Sequence, residues 1–397
     1  MKEGKPMITK ITGAALIMDE IVRDSALYLK DDKILAVTRE ELPYDQLLDA
    51  KGCYLSPGFI DIHTHGGGGH DFMDGGVEPI LEGCRMHLRH GTTSILPTTL
   101  ASAIPALKQS ILDIGAAMEA KGDYPHIIGT HLEGPYFSQN QSGAQDPRYI
   151  KAPEPKEYEE ILKVGEGIIK RWSFAPELDS ADAFCEALVR RNIIPSIAHS
   201  DAVYADVKAA YDKGCRLVTH LYSGMSTVTR KGGFRSLGVV ESAFLLDNII
   251  VETIADGMHL PPELLLMIYK IKGPDRICLV TDSMRGAGMP DGPSILGRKE
   301  DGMACVIEKG VAFLPDHSAF AGSVATTDRL VRTFVKAGVG LCDAVKMAST
   351  TPAKVLGLKK GRLEPDFDAD LVLFDDEINV KGVILDGRCL DLAGTPL

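Results

Sequence analysis

Residues 58–65 read GFIDIHTH, and this stretch decides the fold. An apolar run ends in two histidines one residue apart, so strand geometry places both imidazoles on one face. Seven further runs share this form, a short β-branched or apolar core that stops abruptly in polar or chemically capable residues. They are SILPTTL (94–100), IIGTHLEG (127–134), RWSFAPE (171–177), IPSIAHSD (194–201), RLVTHLYS (216–223), VETIADGMH (251–259) and ICLVTDSM (277–284). Helix-length segments separate most of them, among them EPILEGCRMHLRHG (78–91) and PPELLLMIYKIKG (261–273), the second opened by Pro and closed by Gly. Eight alternating strand–helix units with right-handed crossovers close into a (β/α)8 TIM-like barrel, an α/β fold. A doubly wound open sheet is the competing arrangement. The chemical groups fall at the carboxyl ends of the strands, where the βα loops of a barrel converge on one pocket.

The two chain ends read differently. Residues 8–55 and 361–390 carry short strand-like runs such as SALYLKDDKILAV (25–37) and DADLVLFD (368–375), separated by charged or Gly/Pro turns. They are expected to pair into one small discontinuous β-sandwich spanning residues 1–57 and 355–397, beside a barrel at 58–354. KMASTTPAKVLGL (346–358) reads as the last helix before the chain returns.

Forty-three Lys and Arg stand against 55 Asp and Glu in 397 residues, a net charge of −12, and no segment concentrates the basic side chains. That balance disfavours a nucleic-acid partner. The eight cysteines lie far apart without a Cys-x-x-Cys pair, as reduced thiols in a cytoplasm do. No apolar run approaches ~18 residues and the amino terminus offers no signal segment, so neither export nor a membrane span is expected.

Glu133 ends the third run, His199 the fifth, His220 the sixth and Asp282 the eighth. A carboxylate, neutral imidazoles and an open position form a ligand set for zinc or a similar divalent hydrolytic ion. Any one of these residues alone is an ordinary core residue. Together with His63 and His65, they make six titratable groups at strand ends, and desolvation would be prohibitive without a cation among them. No nucleophile elbow, dinucleotide fingerprint, Walker loop or plausible Cys nucleophile is present. The attacking species is therefore expected to be water whose pKa a divalent ion lowers from 15.7 towards ~7. Asp282 is placed to take its proton and return it to a leaving amine. Asp61, on the face of His63, is expected to orient that histidine, and His131 to support the ligands. His87 and His90, three apart on a helix, are expected on its surface. His70, His126 and His317 share no strand-end placement.

PGFIDIHTHGGGGHDFMD (57–74), THLEGPYFS (130–138), IAHSDA (197–202), VTHLYSGMS (218–226), IADGMHL (254–260), LVTDSM (279–284) and FAGS (320–323) occur in an order that resembles the amidohydrolase superfamily, and within it the N-acetylglucosamine-6-phosphate deacetylases. The resemblance runs essentially end to end. It implies hydrolysis of the acetamide of N-acetylglucosamine 6-phosphate to glucosamine 6-phosphate and acetate. It further implies that Glu133, His199 and His220 hold the main metal, that Asp282 is the acid/base, and that His63 and His65 permit a second ion. Zinc leads, with iron, manganese or cobalt also suited to such ligands. Implied substrate contacts are Ala144 and Gln145, Ser223 and Gly224, His259, and Phe320, Ala321 and Gly322. The phosphate would meet an Arg reaching over from a second subunit, which implies a homodimer.

Three departures stand out. Gly143-Ala144-Gln145 replaces the more usual Gly-Ala-His, and Ser223-Gly224 follows His220-Leu221-Tyr222 where Asn-Ala is common. TRKGGFRSLG (229–238) replaces an Arg-Glu-Pro-Gly stretch, leaving Arg235, Arg230 and Lys231 as candidates for the phosphate, with Arg235 favoured. These departures keep open the same chemistry on a related sugar such as N-acetylgalactosamine 6-phosphate. A catalytically silent metal-bound binding protein is the reading from a different class.

Overall fold

The structure is a computed structural model, and it describes residues 6–390; the outermost parts of the expected sandwich, residues 1–5 and 391–397, lie outside the described residues. Eight parallel strands pair in chain order: β1 (Phe59–Thr64), β2 (Thr92–Thr99), β3 (Thr130–Glu133), β4 (Ile169–Phe174), β5 (Ile194–Ile197), β6 (Leu217–Val218), β7 (Ile250–Ile254) and β8 (Ile277–Val280). The seam between β8 and β1 is joined just past the strand ends, where Asp282 N donates to His63 O at 2.9 Å and His65 N to Ser283 O at 2.8 Å. Each strand is one of the eight runs read from the sequence, and the barrel stands in place of an open sheet.

A helix follows each strand on the outside: α1 (Val77–Leu88), α2 (Ile104–Met118), α3 (Pro155–Val164), α4 (Ala181–Arg190), α5 (Tyr204–Asp212), α6 (Val239–Leu245), α7 (Pro262–Lys272) and α8 (Thr327–Lys336). Helix α8 shows why they dock. Leu330, Val331 and Phe334 recur at helical spacing and are buried, while Arg332 and Lys336 lie toward the outer face. Gly273, at φ +68°, ends α7 where a side chain would be strained. The segment 346–358 departs from one continuous helix. It forms the end of Leu341–Ala348 and then Thr350–Leu356, broken at Ser349, whose hydroxyl bonds to Val345 O at 2.7 Å. No described helix is long and apolar enough to cross a membrane.

The chain ends meet in two sheets. Strands 33–38, 26–30, 8–12 and 46–49 form one, and strands 388–390, 380–385, 371–374, 54–57, 15–17 and 21–22 the other. Leu371–Phe374 pairs antiparallel with Tyr54–Pro57, which ties the two ends together. Leu371 and Leu373 pack with Leu55 between the sheets, whereas Val372 and Phe374 join the barrel's cluster with Phe59 and Leu88. Period-two alternation thus lets one strand serve both cores.

An antiparallel sheet of strands 292–296, 303–308, 311–313 and 320–323 is inserted between β8 and α8, an element the sequence reading lacked. Its strands are short and mostly half-exposed, and the apolar run over 303–307 leads to none of the ligand residues. Its last strand carries Phe320 to the barrel mouth.

Candidate metal centre and pocket

The barrel strands end in sharp turns at the residues that matter. His199, His220 and Asp282 have φ of +43°, +26° and +48°, a region costing non-glycine residues about 1–3 kcal/mol each. Backbone bonds offset this: His220 N donates to Glu252 Oε2 at 3.2 Å and Asp282 N to His63 O. The turns bring side chains from five strands to one point.

Glu133 lies at that point. Its Oε1 is 2.9 Å from His220 Nε2, 3.3 Å from His199 Nε2 and 3.5 Å from His63 Nε2, and its Oε2 is 3.2 Å from His65 Nε2. Asp282 Oδ1 lies 3.3 Å from His63 Nε2 and 3.1 Å from His65 Nε2. Two overlapping ligand sets result, Glu133–His199–His220 and His63–His65–Glu133, each with its donor atoms within 4.8 Å of one another. The far ring nitrogen of three imidazoles is already committed. His65 Nδ1 faces Thr98 O at 3.2 Å, His199 Nδ1 faces Gln141 O at 2.7 Å, and His63 Nδ1 faces Glu252 Oε2 at 3.3 Å. Carbonyl and carboxylate oxygens can only accept, so each Nδ1 donates and each Nε2 turns a lone pair inward. His63 Nε2 and His65 Nε2, 3.3 Å apart, then need a cation between them. The donor set fits a divalent ion.

The electrostatics agree. Burial disfavours the charged form of His63, yet Glu133 and Asp282 lift its pKa to about 9; His65 is raised well above the ordinary value against the same burial by the same two carboxylates. Burial opposes ionisation of Glu133 and Asp282, but the facing imidazoles outweigh it and lower both. The site therefore demands positive charge.

The supporting residues differ in part from expectation. Asp61 does not reach the His63 ring: its carboxylate accepts from His63 N at 3.2 Å and from the Thr281 hydroxyl at 2.5 Å. Glu252 takes the ring instead. His87 is buried rather than on the surface of α1, because the helix docks that face beneath the glycine loop and Nε2 meets Gly66 O at 3.0 Å. Burial lowers its pKa to about 4. His90 is half-exposed, with Nδ1 3.3 Å from Asp328 Oδ1. His131 is buried with its ring across that of His63, centroids 4.7 Å apart, and Nε2 bonds to Ser173 Oγ at 2.7 Å.

A cavity of about 300 Å³ opens above Glu133, His65 and Asp282. Ala144, Gln145, Ser223 and Gly224 line one part of it, and His259, Phe320 and Gly322 another. Gln145 is already engaged: Nε2 donates to Glu133 Oε2 at 2.6 Å and Oε1 accepts from Ala101 N at 2.8 Å. Ala321 points away, buried in an apolar cluster with Met284 and Leu296. Arg230, Lys231 and Arg235 lie on an exposed hairpin, Thr229–Lys231 against Phe234–Ser236, away from this chain's own cavity.

The amidohydrolase family's sequence model matches residues 54–390. The chain belongs to the amidohydrolase family. Within it, the chain is 33% identical over 366 residues to N-acetylglucosamine-6-phosphate deacetylase of Lysinibacillus sphaericus, covering 91% of this chain and 92% of that protein. It is 30% identical over 369 residues to N-acetylgalactosamine-6-phosphate deacetylase of Escherichia coli O157:H7, covering 92% and 94%. A crystal structure of a point variant of N-acetyl-D-glucosamine-6-phosphate deacetylase from Mycobacterium smegmatis, in complex with N-acetyl-D-glucosamine-6-phosphate, superposes with a TM-score of 0.88 at 29% identity, over 97% of this chain and 99% of that one.

Two buried charged residues beside the ligand set of this amidohydrolase escaped the sequence reading. Glu252 and Arg171 are both fully buried and pair with each other inside the barrel. The signal was present for Glu252, the single charged residue of Ile250–Ile254, and weaker for Arg171, which follows Lys170 on its strand.

Proposed function

We propose that this amidohydrolase hydrolyses the acetamide of N-acetylglucosamine 6-phosphate, giving glucosamine 6-phosphate and acetate. The observation that carries the reading is the pair of ligand sets sharing Glu133 beneath the cavity, with Asp282 3.1 Å from His65 at its floor. The similarity to deacetylases over more than nine-tenths of the chain supports the substrate class.

Glu133, His199 and His220 would hold one divalent ion and His63 and His65, with Glu133, a second; zinc suits this mixed nitrogen and oxygen set, as do iron, manganese or cobalt. Such an ion, when bound, polarises the acyl carbonyl and makes a water nucleophile available near neutral pH. Asp282 takes the proton of the attacking water on its carboxylate and delivers it to the departing nitrogen, so that base and acid are one group. His259, its Nδ1 occupied by Asp256, offers Nε2 to the substrate. Gln145 holds Glu133 in place. Ala144, Ser223, Gly224, Phe320 and Gly322 shape the sugar's walls, and Ala321 supports Phe320 from behind.

Arg235 sits beside Phe234, which is 83% exposed, on a hairpin that protrudes from the barrel. It would meet the phosphate of a substrate held by a second copy, making the enzyme a homodimer. The free cysteines suit a cytoplasmic enzyme.

The second reading is the same hydrolysis on N-acetylgalactosamine 6-phosphate, favoured by the relative from Escherichia coli and by the short side chain of Ser223 in the wall. A kcat/KM panel of both epimers, each with and without phosphate, tests the assignment. The expected result is a preference for N-acetylglucosamine 6-phosphate and a large loss without phosphate. A preference for the galacto epimer would transfer the assignment, and no hydrolysis of any acyl amino sugar by metal-loaded protein would leave only a binding role.

A further inference from the structure

The interior of the barrel holds an ion pair where apolar side chains usually fill the layers. Arg171 on β4 and Glu252 on β7 are both 0% exposed. Four of the guanidinium's five N–H donors are engaged: Nε to Ser196 Oγ at 3.0 Å, Nη1 to Ile62 O at 3.1 Å and to Glu252 Oε1, and Nη2 to Thr219 Oγ1 at 2.7 Å. Glu252 Oε2 faces the other way, accepting from His63 Nδ1 and from the backbone N–H of His220. A buried ion pair is often no more stabilising than apolar residues of the same volume, so stability alone is a weak reason for this one.

We propose that Arg171 and Glu252 form a positioning unit that fixes His63 in the tautomer protonated at Nδ1, and thereby decides whether the ion position shared by His63 and His65 fills. Arg171 claims Oε1 and leaves Oε2 as an acceptor with no proton of its own. His63 must then carry its proton on Nδ1 and turn the Nε2 lone pair toward His65 and Asp282. Arg171 also cancels the charge of Glu252, so the imidazole gains a hydrogen-bond partner without a net anion beneath it. Glu252→Gln inverts this logic. With Arg171 still demanding an acceptor at Oε1, the amide NH2 of the variant takes the place of Oε2. The His220 N–H loses its acceptor, and His63 Nδ1 becomes the acceptor of the amide, so that its proton moves to Nε2, where it blocks the ion.

The inference rests on the metal centre proposed above, and the test separates the two. Full-length protein is equilibrated with zinc, and bound zinc is counted by elemental analysis across a free-zinc titration. Wild type is expected to take two ions. Glu252→Gln is expected to lose 10- to 100-fold in affinity at the His63–His65 position and less at the other, where His220 gives up only a backbone contact. The double variant Arg171→Leu with Glu252→Leu removes both charges together but leaves Ser196, Thr219, the Ile62 carbonyl and the His220 N–H without them, and is expected to lower the Tm while losing the same ion. Histidine-selective ¹⁵N NMR of the zinc-loaded wild type, which needs no variant to fold, is expected to show the His63 proton on Nδ1. A proton on Nε2, a wild type that takes a single ion, or variants whose two affinities stay within twofold of wild type would each overturn the proposal. A wild type binding no zinc at all would overturn the metal centre with it.

Discussion

His259 donates through Nδ1 to Asp256 Oδ2 across 2.8 Å, and its ring packs 4.6 Å from that of Phe320 at the cavity wall. Burial raises the cost of the Asp256 charge, but His259 and two backbone N–H groups outweigh it and lower its pKa. The carboxylate therefore stays ionised and holds the imidazole with Nε2 free for the substrate. His259→Ala is expected to lower kcat/KM tenfold to a hundredfold, the range for one lost hydrogen bond of about 1–3 kcal/mol, with bound metal unchanged. Asp256→Asn should lose less. Steady-state kinetics with metal analysis check both, and an unaltered kcat/KM in His259→Ala would remove it from the site.

Gln145 bridges Ala101 N and Glu133 Oε2, and all three residues are buried. Gln145→Ala leaves a buried N–H and a carboxylate oxygen without their partner. A loss of about 1–3 kcal/mol in stability is expected, together with faster loss of metal to a competing chelator. Chemical denaturation and chelator-exchange rates measure these, and wild-type values for both would show that Glu133 does not depend on this amide.

Asp282→Asn preserves the side chain's shape but cannot accept and return a proton. Turnover is expected to fall by at least ~10²-fold, while elemental analysis finds metal still bound. Turnover near the wild-type value would assign the proton transfer to another group.

Asp370 joins the two parts of the molecule. It precedes the strand that pairs with residues 54–57, and its Oδ2 contacts Lys360 and lies 3.3 Å from His126 Nε2. Burial pushes its pKa up, but His126 and Lys360 more than offset this and hold it at about 2, below the ~3.9 of an unfolded chain. A depressed folded pKa means that the stabilisation is complete above about pH 5 and disappears as pH falls through 4 towards 2. Asp370→Asn is expected to cost about 2–3 kcal/mol at pH 7, with the difference from wild type shrinking steadily below pH 4. Urea midpoints across that range check the sign, and a deficit that stays constant would show that ionisation is not its source.

The barrel was legible because its strands are apolar runs that end in ligands, and that coincidence of pattern and chemistry repeats from His63 to Asp282. The sandwich was legible from the strand signals at both ends. Period two names the face of a strand, however, and not the partner across a closed barrel. That is why Asp61 is the support expected for His63, and it holds that residue's backbone N–H, while Glu252, on a strand nearly 190 residues later, holds the ring. Helical spacing likewise could not tell that α1 buries His87 under a glycine loop. The sheet over residues 292–323 was hidden because its strands, although apolar over 303–307 and Val311–Phe313, are short and do not lead into ligand residues as the barrel runs do. The left-handed turns at His199, His220 and Asp282 have no sequence signature, since glycine, the residue that marks such turns, is absent from those positions.

Acetate release measured beside bound metal, on one preparation stripped by chelator and then reloaded with zinc, tests most directly whether the residues gathered around Glu133 hold the ion that drives hydrolysis. Stripped protein is expected to release no acetate from N-acetylglucosamine 6-phosphate, with release returning in proportion to zinc regained and disappearing in His220→Ala. Full activity in protein shown to be free of metal, or zinc that binds equally well without His220 and Glu133, would contradict it.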